Sequence, residues 1–147
     1  MTNEEVLEIA VAMGEIFNDG NEGTAQRLVA EGFVDYEAPE GAPTGPDAYA
    51  NTARWMRGVW KDARWEIVDA FASGDKATLR VVFSGTHVGE FMGIAPTNKR
   101  VEVQHIHIYR IADGKVHEHW AVRDDIELAR QLGVWDRPKV GAPVAAA

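Results

Sequence analysis

Apolar positions recur with helical period through the first third of the chain. Val6, Ile9, Ala10, Met13, Ile16 and Phe17 fall on one stripe, Thr2 with Glu5 makes a capping box, and Gly20 supplies a stop, so the pattern predicts an opening amphipathic helix. A second short helix is predicted over Thr24 to Ala30. Gly32 then leads into a brief extended stretch, Phe33 to Tyr36, followed by a Pro/Gly loop through Pro46. Pro46 suits a first helical turn, and Tyr49, Ala53, Met56, Val59 and Trp60 recur beyond it at the spacing of a third helix.

From Trp65 the texture changes to β-branched and aromatic residues broken by turn signals. WEIVDAF, SGD and KATLRVVFSGTH read as a hairpin; the loop VGEFMGIAPTN separates it from VEVQHIHIYRI, ADG and KVHEHWAVR, a second hairpin. A final helix is predicted from Asp124 to Leu132, with Asp124 as its N-cap and Gly133 as its stop. Helices first and a four-stranded antiparallel meander afterwards give an α+β class, with the N-terminal helices covering a curved antiparallel sheet that encloses a cavity. Residues 1–136 are expected to form a single domain and 137–147, ending in APVAAA, a flexible tail. There is no internal repeat.

Four of the five histidines lie on the second hairpin, as His105, His107, His117 and His119, in two His-x-His pairs. Alternation along a strand puts each pair on one face. Whether the pairs share a face depends on the turn. A three-residue loop, Ala112 to Gly114, would set Ile111 opposite Lys115, His107 opposite His119, His105 opposite Ala121 and Tyr109 opposite His117. A two-residue turn at Asp113 and Gly114 would pair odd with even positions and disperse the cluster. The three-residue loop is favoured because it also gathers Ile106, Ile108, Val116, Trp120 and Val122 into an apolar outer surface. Such a surface suggests a homodimer packed sheet to sheet.

Three chemistries compete for His105, His107 and His119: general acid/base work near neutral pH, a zinc or iron site, and hydrogen bonding within a polar wall. The metal reading is disfavoured because Arg123, and no carboxylate, lies on the predicted face. His117, near the turn, is assigned to the wall. Arg123 could hold an anionic or carbonyl oxygen or make a surface ion pair. Asp35 and Tyr36 could reach the pocket mouth, although no spacing demonstrates it. Trp55, Met56 and Trp60 could line the pocket or simply fill core.

Composition narrows the partners. A formal net charge of -8 with scattered basic residues disfavours nucleic acid and anionic membranes. The absence of cysteine excludes disulfides, thiolate catalysis and Cys-ligated metals and fits a cytoplasmic protein. No apolar run approaches the ~18 residues of a membrane span, and the acidic N-terminus is unlike a signal peptide.

The stretches GTHVGEFMGIAPT, IYRIADGKV, EHWAVRD and the closing QLG together resemble the SnoaL-like polyketide cyclases, within the NTF2-like superfamily of α+β cone folds. The likeness is strongest from Trp65 to Gly133 and rests mainly on element order before that. It implies an apolar aromatic polyketide substrate, no cofactor and no metal, and ring closure by intramolecular aldol condensation. It further implies an acid/base aspartate two residues after the histidine of the EHW motif, a position held here by Ala121. His105 stands where a cyclase can have glutamine. Catalysis is therefore expected from His105, His107 and His119. Tyr36, Trp55, Met56, Trp60, Phe91, Ala121 and Arg123 are the candidate substrate-binding residues. Loss of the aspartate keeps two alternatives open: cofactor-independent hydroxylation of an aromatic polyketide, and a non-catalytic module that binds an apolar ligand or mediates dimerisation.

Overall fold

The structure, a computed structural model, describes residues 1–136. The expected tail, 137–147, lies outside the described residues. Helix α1 (Asn3–Asp19) starts at the Thr2/Glu5 capping box and stops at left-handed Gly20. It buries Val6, Ala10, Met13, Ile16 and Phe17. Helix α2 (Glu22–Leu28) starts and ends two residues earlier than the pattern suggested, because Val29 already opens strand β1 (Val29–Asp35). Helix α3 (Pro46–Val59) has Pro46 in its first turn, and strand β2 (Trp60–Ser73) follows without a break. Strands β3 (Lys76–His87), β4 (Arg100–Ala112) and β5 (Lys115–Arg123) complete the meander, and helix α4 (Asp125–Gln131) is capped by the Asp124 side chain.

The sheet has five strands in the order β1-β5-β4-β3-β2. The predicted four-stranded antiparallel meander is therefore extended by β1, which pairs in parallel with β5 at the edge. A non-local parallel pairing has no signature in local periodicity, which is why only its last residues read as extended. Helix α1 lies close over β2: a Cβ on Gly14 would meet the Ile67 side chain at 3.1 Å. The Asn18 amide also enters the strand backbone, donating to the Trp65 carbonyl at 2.8 Å and accepting from the Trp65 N–H at 2.7 Å. These groups sit beside a register shift between Lys61 and Arg64, where strand pairing alone leaves backbone bonds unmade.

The β4–β5 hairpin differs from both registers considered above. Asp113 (φ 52°) and Gly114 (φ 72°) are both left-handed, and Ala112 pairs with Lys115, so the turn has two residues of the type I′ kind. Ile111 then faces Val116, but Arg110 faces Glu118, which leaves His117 as an extra bulged residue. Past the bulge, Tyr109 faces His119, His107 faces Ala121 and His105 faces Arg123. The expected pairings are thus displaced by two residues, while the bulge preserves the shared face that a plain two-residue turn would have destroyed. Val116 is corrected from the outer to the inner side, where it is fully buried in the core with Ile111.

Candidate functional site

The inner face of β4 and β5 carries His105, His107 and His119, with 3%, 0% and 3% of their surface exposed. They form a line. His119 Nδ1 meets the Asp35 carboxylate at 2.9 Å, its Nε2 meets His107 Nδ1 at 2.9 Å, and His107 Nε2 lies 3.4 Å from His105 Nδ1. Asp35 arrives because the parallel register sets it directly beside His119. Sequence spacing assigns this residue no role, since the pairing spans 84 positions.

Aromatic rings fill the space around the line. Trp65 packs on His107 with centroids 4.3 Å apart, Phe83 stacks on His105 at 5.4 Å, and Tyr109 stacks on His119 at 4.8 Å. Tyr109 and Tyr49 share a buried hydroxyl contact of 3.1 Å, and Tyr49 also donates to the Met13 carbonyl. Burial, with little to offset it, raises both phenols above their ordinary value.

The electrostatics favour neutral His105 and His107 and an ionised Asp35. Burial and the nearby Arg123 charge push His105 down to about 3. Burial, with repulsion from the adjoining rings and Arg123, pushes His107 well down. Burial would raise the Asp35 carboxyl, but its bond to His119 and the charges around it outweigh that and hold it below the ordinary range. Among the described residues no group of three or more His, Asp or Glu side chains has an arrangement suited to a metal ion.

The remaining candidates divide into three places. Trp55, Phe91 and Trp60 adjoin one another, with centroids 5.7 and 5.5 Å apart, and Trp60 continues to Phe83 at 5.5 Å and so to His105. This aromatic path runs from Trp55, half-exposed on α3, to the inner end of the histidine line. Met56 packs partly buried against the core. Ala121 lies opposite His107, and Arg123, opposite His105, reaches Glu37 at 3.6 Å. Tyr36 is elsewhere: exposed, it stacks on Trp120 and donates to Glu118. His117 contacts the Ala112 carbonyl across the bulge.

The fifth histidine, His87, was not singled out from the sequence. It is fully buried beside Trp60, and its Nδ1 accepts from the Thr97 N–H. Its Nε2 must therefore carry the hydrogen, and that nitrogen, Trp60 Nε1 and Trp65 Nε1 are buried without a partner. Two depressions mark the surface, and only the first lies away from the histidine line. One, of about 210 Å³, separates α1, α2 and α3; the other, of about 340 Å³, is bounded by Gln104, His105, Ile106, Val122, Arg123 and Asp124 and so borders the His105 end of the line.

The buried histidines make stability fall in acid. An unfolded His105 binds a proton below about 6.5 that the folded form refuses until about 3, so stability is lost as the pH falls through that interval, and His107 acts in the same sense. Asp35 contributes stability that is present above its ordinary value of 3.8 and lost below it. Thermal unfolding should give a clearly lower Tm at pH 5 than at pH 7.5. His105→Gln should shrink that difference, and a flat profile in the parent protein would contradict the assignment of neutral buried rings.

Residues 8–132 match the family described as SnoaL-like polyketide cyclase. The chain is 32% identical over 123 residues to the nogalonic acid methyl ester cyclase of Streptomyces nogalater, covering 82% of this chain and 92% of that protein. The structure of TsrD from Streptomyces laurentii superposes with a TM-score of 0.83 at 25% identity, covering 92% of this chain and 99% of that one. AclR from Streptomyces galilaeus, a hydroxylase candidate, superposes with a TM-score of 0.76 at 26% identity over 92% and 100% of the two chains. With helices over one face of a curved sheet and a polar cluster on its inner wall, the chain belongs to the SnoaL-like polyketide cyclase family.

Proposed function

We propose that this protein closes a ring of an aromatic polyketide ester by intramolecular aldol condensation, using a histidine in place of the aspartate that family resemblance expects at Ala121. The observation carrying this reading is the buried line of His105, His107 and His119 beside Ala121, since a neutral imidazole has the lone pair that a proton abstraction requires. A base takes a proton from the carbon next to a carbonyl, the resulting enolate adds to a second carbonyl within the same molecule, and the proton returns to the new alkoxide. None of these steps calls for a cofactor. The aromatic path from Trp55 through Phe91 and Trp60 supports a flat apolar substrate.

Ala121 favours a second reading, hydroxylation without a bound cofactor, and the structural likeness to AclR points the same way. There the histidine deprotonates an electron-rich quinol, whose anion adds oxygen at carbon as a hydroperoxide; cleavage of the O–O bond leaves one oxygen atom on the ring and releases the other as water, the quinol supplying both electrons as it becomes a hydroxyquinone. Incubation with nogalonic acid methyl ester and related esters separates the two. Ring closure well above the uncatalysed rate, with or without oxygen, is the expected result. Gain of one oxygen atom that stops under strict anoxia would favour the hydroxylase, and no acceleration of either reaction would overturn both.

We infer also that the protein is a homodimer through the outer sheet face. Phe71, Ile106 and Val122 are 60%, 45% and 76% exposed there, an apolar surface continuous with the shallow depression beside Ile106. Light scattering should return twice the chain mass for the parent protein and the monomer mass for Val122→Glu; a monomeric parent would contradict the inference.

A further inference from the structure

We propose that Asp35, His119, His107 and His105 form a one-directional proton relay in which His105 Nε2 takes the proton from substrate and Asp35, a positioning residue, holds the resulting charge at the far end on His119. This deepens the acid/base reading above and serves ring closure and hydroxylation alike, but its test needs no substrate.

The direction follows from donor counting. An ionised carboxylate accepts only, so His119 Nδ1 must carry a hydrogen toward Asp35. When the cluster is neutral, His119 Nε2 is then an acceptor, and the hydrogen between it and His107 sits on His107 Nδ1. His107 Nε2 becomes an acceptor in turn, and His105 donates to it from Nδ1. Every ring is fixed as its Nδ1–H tautomer, the less common form of a free imidazole, and the one lone pair left over is on His105 Nε2. That nitrogen has no hydrogen-bond partner among the described residues, yet it is absent from the set of partnerless side-chain nitrogens sealed from solvent, Trp60 Nε1, Trp65 Nε1 and His87 Nε2. The open end of the line is therefore His105, which stacks on Phe83 at the end of the aromatic path and also borders the depression it shares with Arg123.

The transfer balances. The substrate C–H or O–H bond breaks, its proton bonds to His105 Nε2, and its electron pair stays on the substrate as an enolate or phenolate. His105 passes its Nδ1 proton to His107 Nε2, and His107 passes its own to His119 Nε2. His119 is left as an imidazolium against the Asp35 carboxylate. His105 now presents an N–H to the substrate anion, and reversal returns the proton to product. The 3.4 Å separation of His105 and His107 is long for a resting hydrogen bond, as catalytic contacts in an unliganded site often are. The charge rests where the anion is, because Arg123 stands opposite His105 and repels a positive ring there.

The other titratable groups facing the line are Tyr49 from α3 and Tyr109 from β4, with Arg123 from β5 paired to Glu37. From β2 and β3 it meets Trp65 and Phe83, which do not titrate, and Phe17 of α1 stacks on Trp65.

Nitrogen-15 NMR of the full chain labelled at histidine reads the relay directly. Near neutral pH, His105, His107 and His119 should all show Nδ1–H, and the first proton taken up on acidification should appear on His119, with His105 and His107 still uncharged. Asp35→Asn removes the anion at nearly constant shape and should move that proton uptake about one to three pH units lower. His107→Phe, which keeps an aromatic ring between Trp65 and Tyr109, gives an independent arm: His105 should revert to the Nε2–H form of free histidine. The relay is overturned if His105 or His107 carries Nε2–H in the neutral parent protein. It is likewise overturned if Asp35→Asn leaves the titration unmoved, or if His105 keeps its tautomer in the His107→Phe variant. Tautomers as stated in a protein inert toward polyketide esters would instead sink the proposed function and leave the relay standing.

Discussion

The contact between Asp35 and His119 governs what the interior of this protein can hold. A carboxylate and three imidazoles in an apolar core are expensive to desolvate unless each polar atom finds a partner, and breaking one contact in such a set strands the rest. Here the contacts run in sequence: Asp35 fixes His119, His119 fixes His107, and His107 orients His105. Stacking against Trp65, Phe83 and Tyr109 immobilises the rings without adding competing donors at their nitrogens. The cluster is thus polar in its content and apolar in its surroundings, the combination that gives an imidazole a free lone pair rather than a charge.

Two irregularities of the sheet make that contact possible. The bulge at His117 keeps His119 on the face of His105 and His107 although the turn contains only Asp113 and Gly114. The parallel addition of β1 to β5 then brings Asp35 alongside His119. Strand β1 is remote from β4 and β5 in the chain's own order, yet without either device the interior would hold unpaired imidazoles. The aromatic path from Trp55 to Phe83 is built from the opposite side, by the abutment of α3 on β2 and by the loop that carries Phe91.

Much of this was legible in the sequence because it depends on local rules. The capped first helix, the Pro46 start of α3, the strands of the two hairpins and the common face of His105 and His107 follow from periodicity and turn chemistry, whereas His119 joins that face through the bulge and not through the three-residue loop expected. What could not be read locally is what long-range pairing decides. The Asp-Gly turn was visible, but the bulge that rescues its register depends on how β4 and β5 each fit the core, and with it went the side assigned to Val116. Asp35 could be placed near the pocket but not given a partner. His87 drew no attention because a lone histidine on an apolar strand carries no spacing to mark it. Tyr36, just past the end of a strand whose pairing was unknown, lies instead on the outer face with Trp120.

Replacement of a carboxylate at Ala121 by a histidine line is the claim on which the proposed chemistry stands. The most direct measurement is the rate of proton abstraction from a polyketide ester, followed as solvent deuterium exchange at the reacting carbon, in His105→Gln with and without Ala121→Asp. Loss of His105 should cost on the order of 10²–10⁴ in rate, the usual contribution of a general base, and the added aspartate should restore much of it. A His105→Gln protein that exchanges as fast as the parent would contradict that replacement.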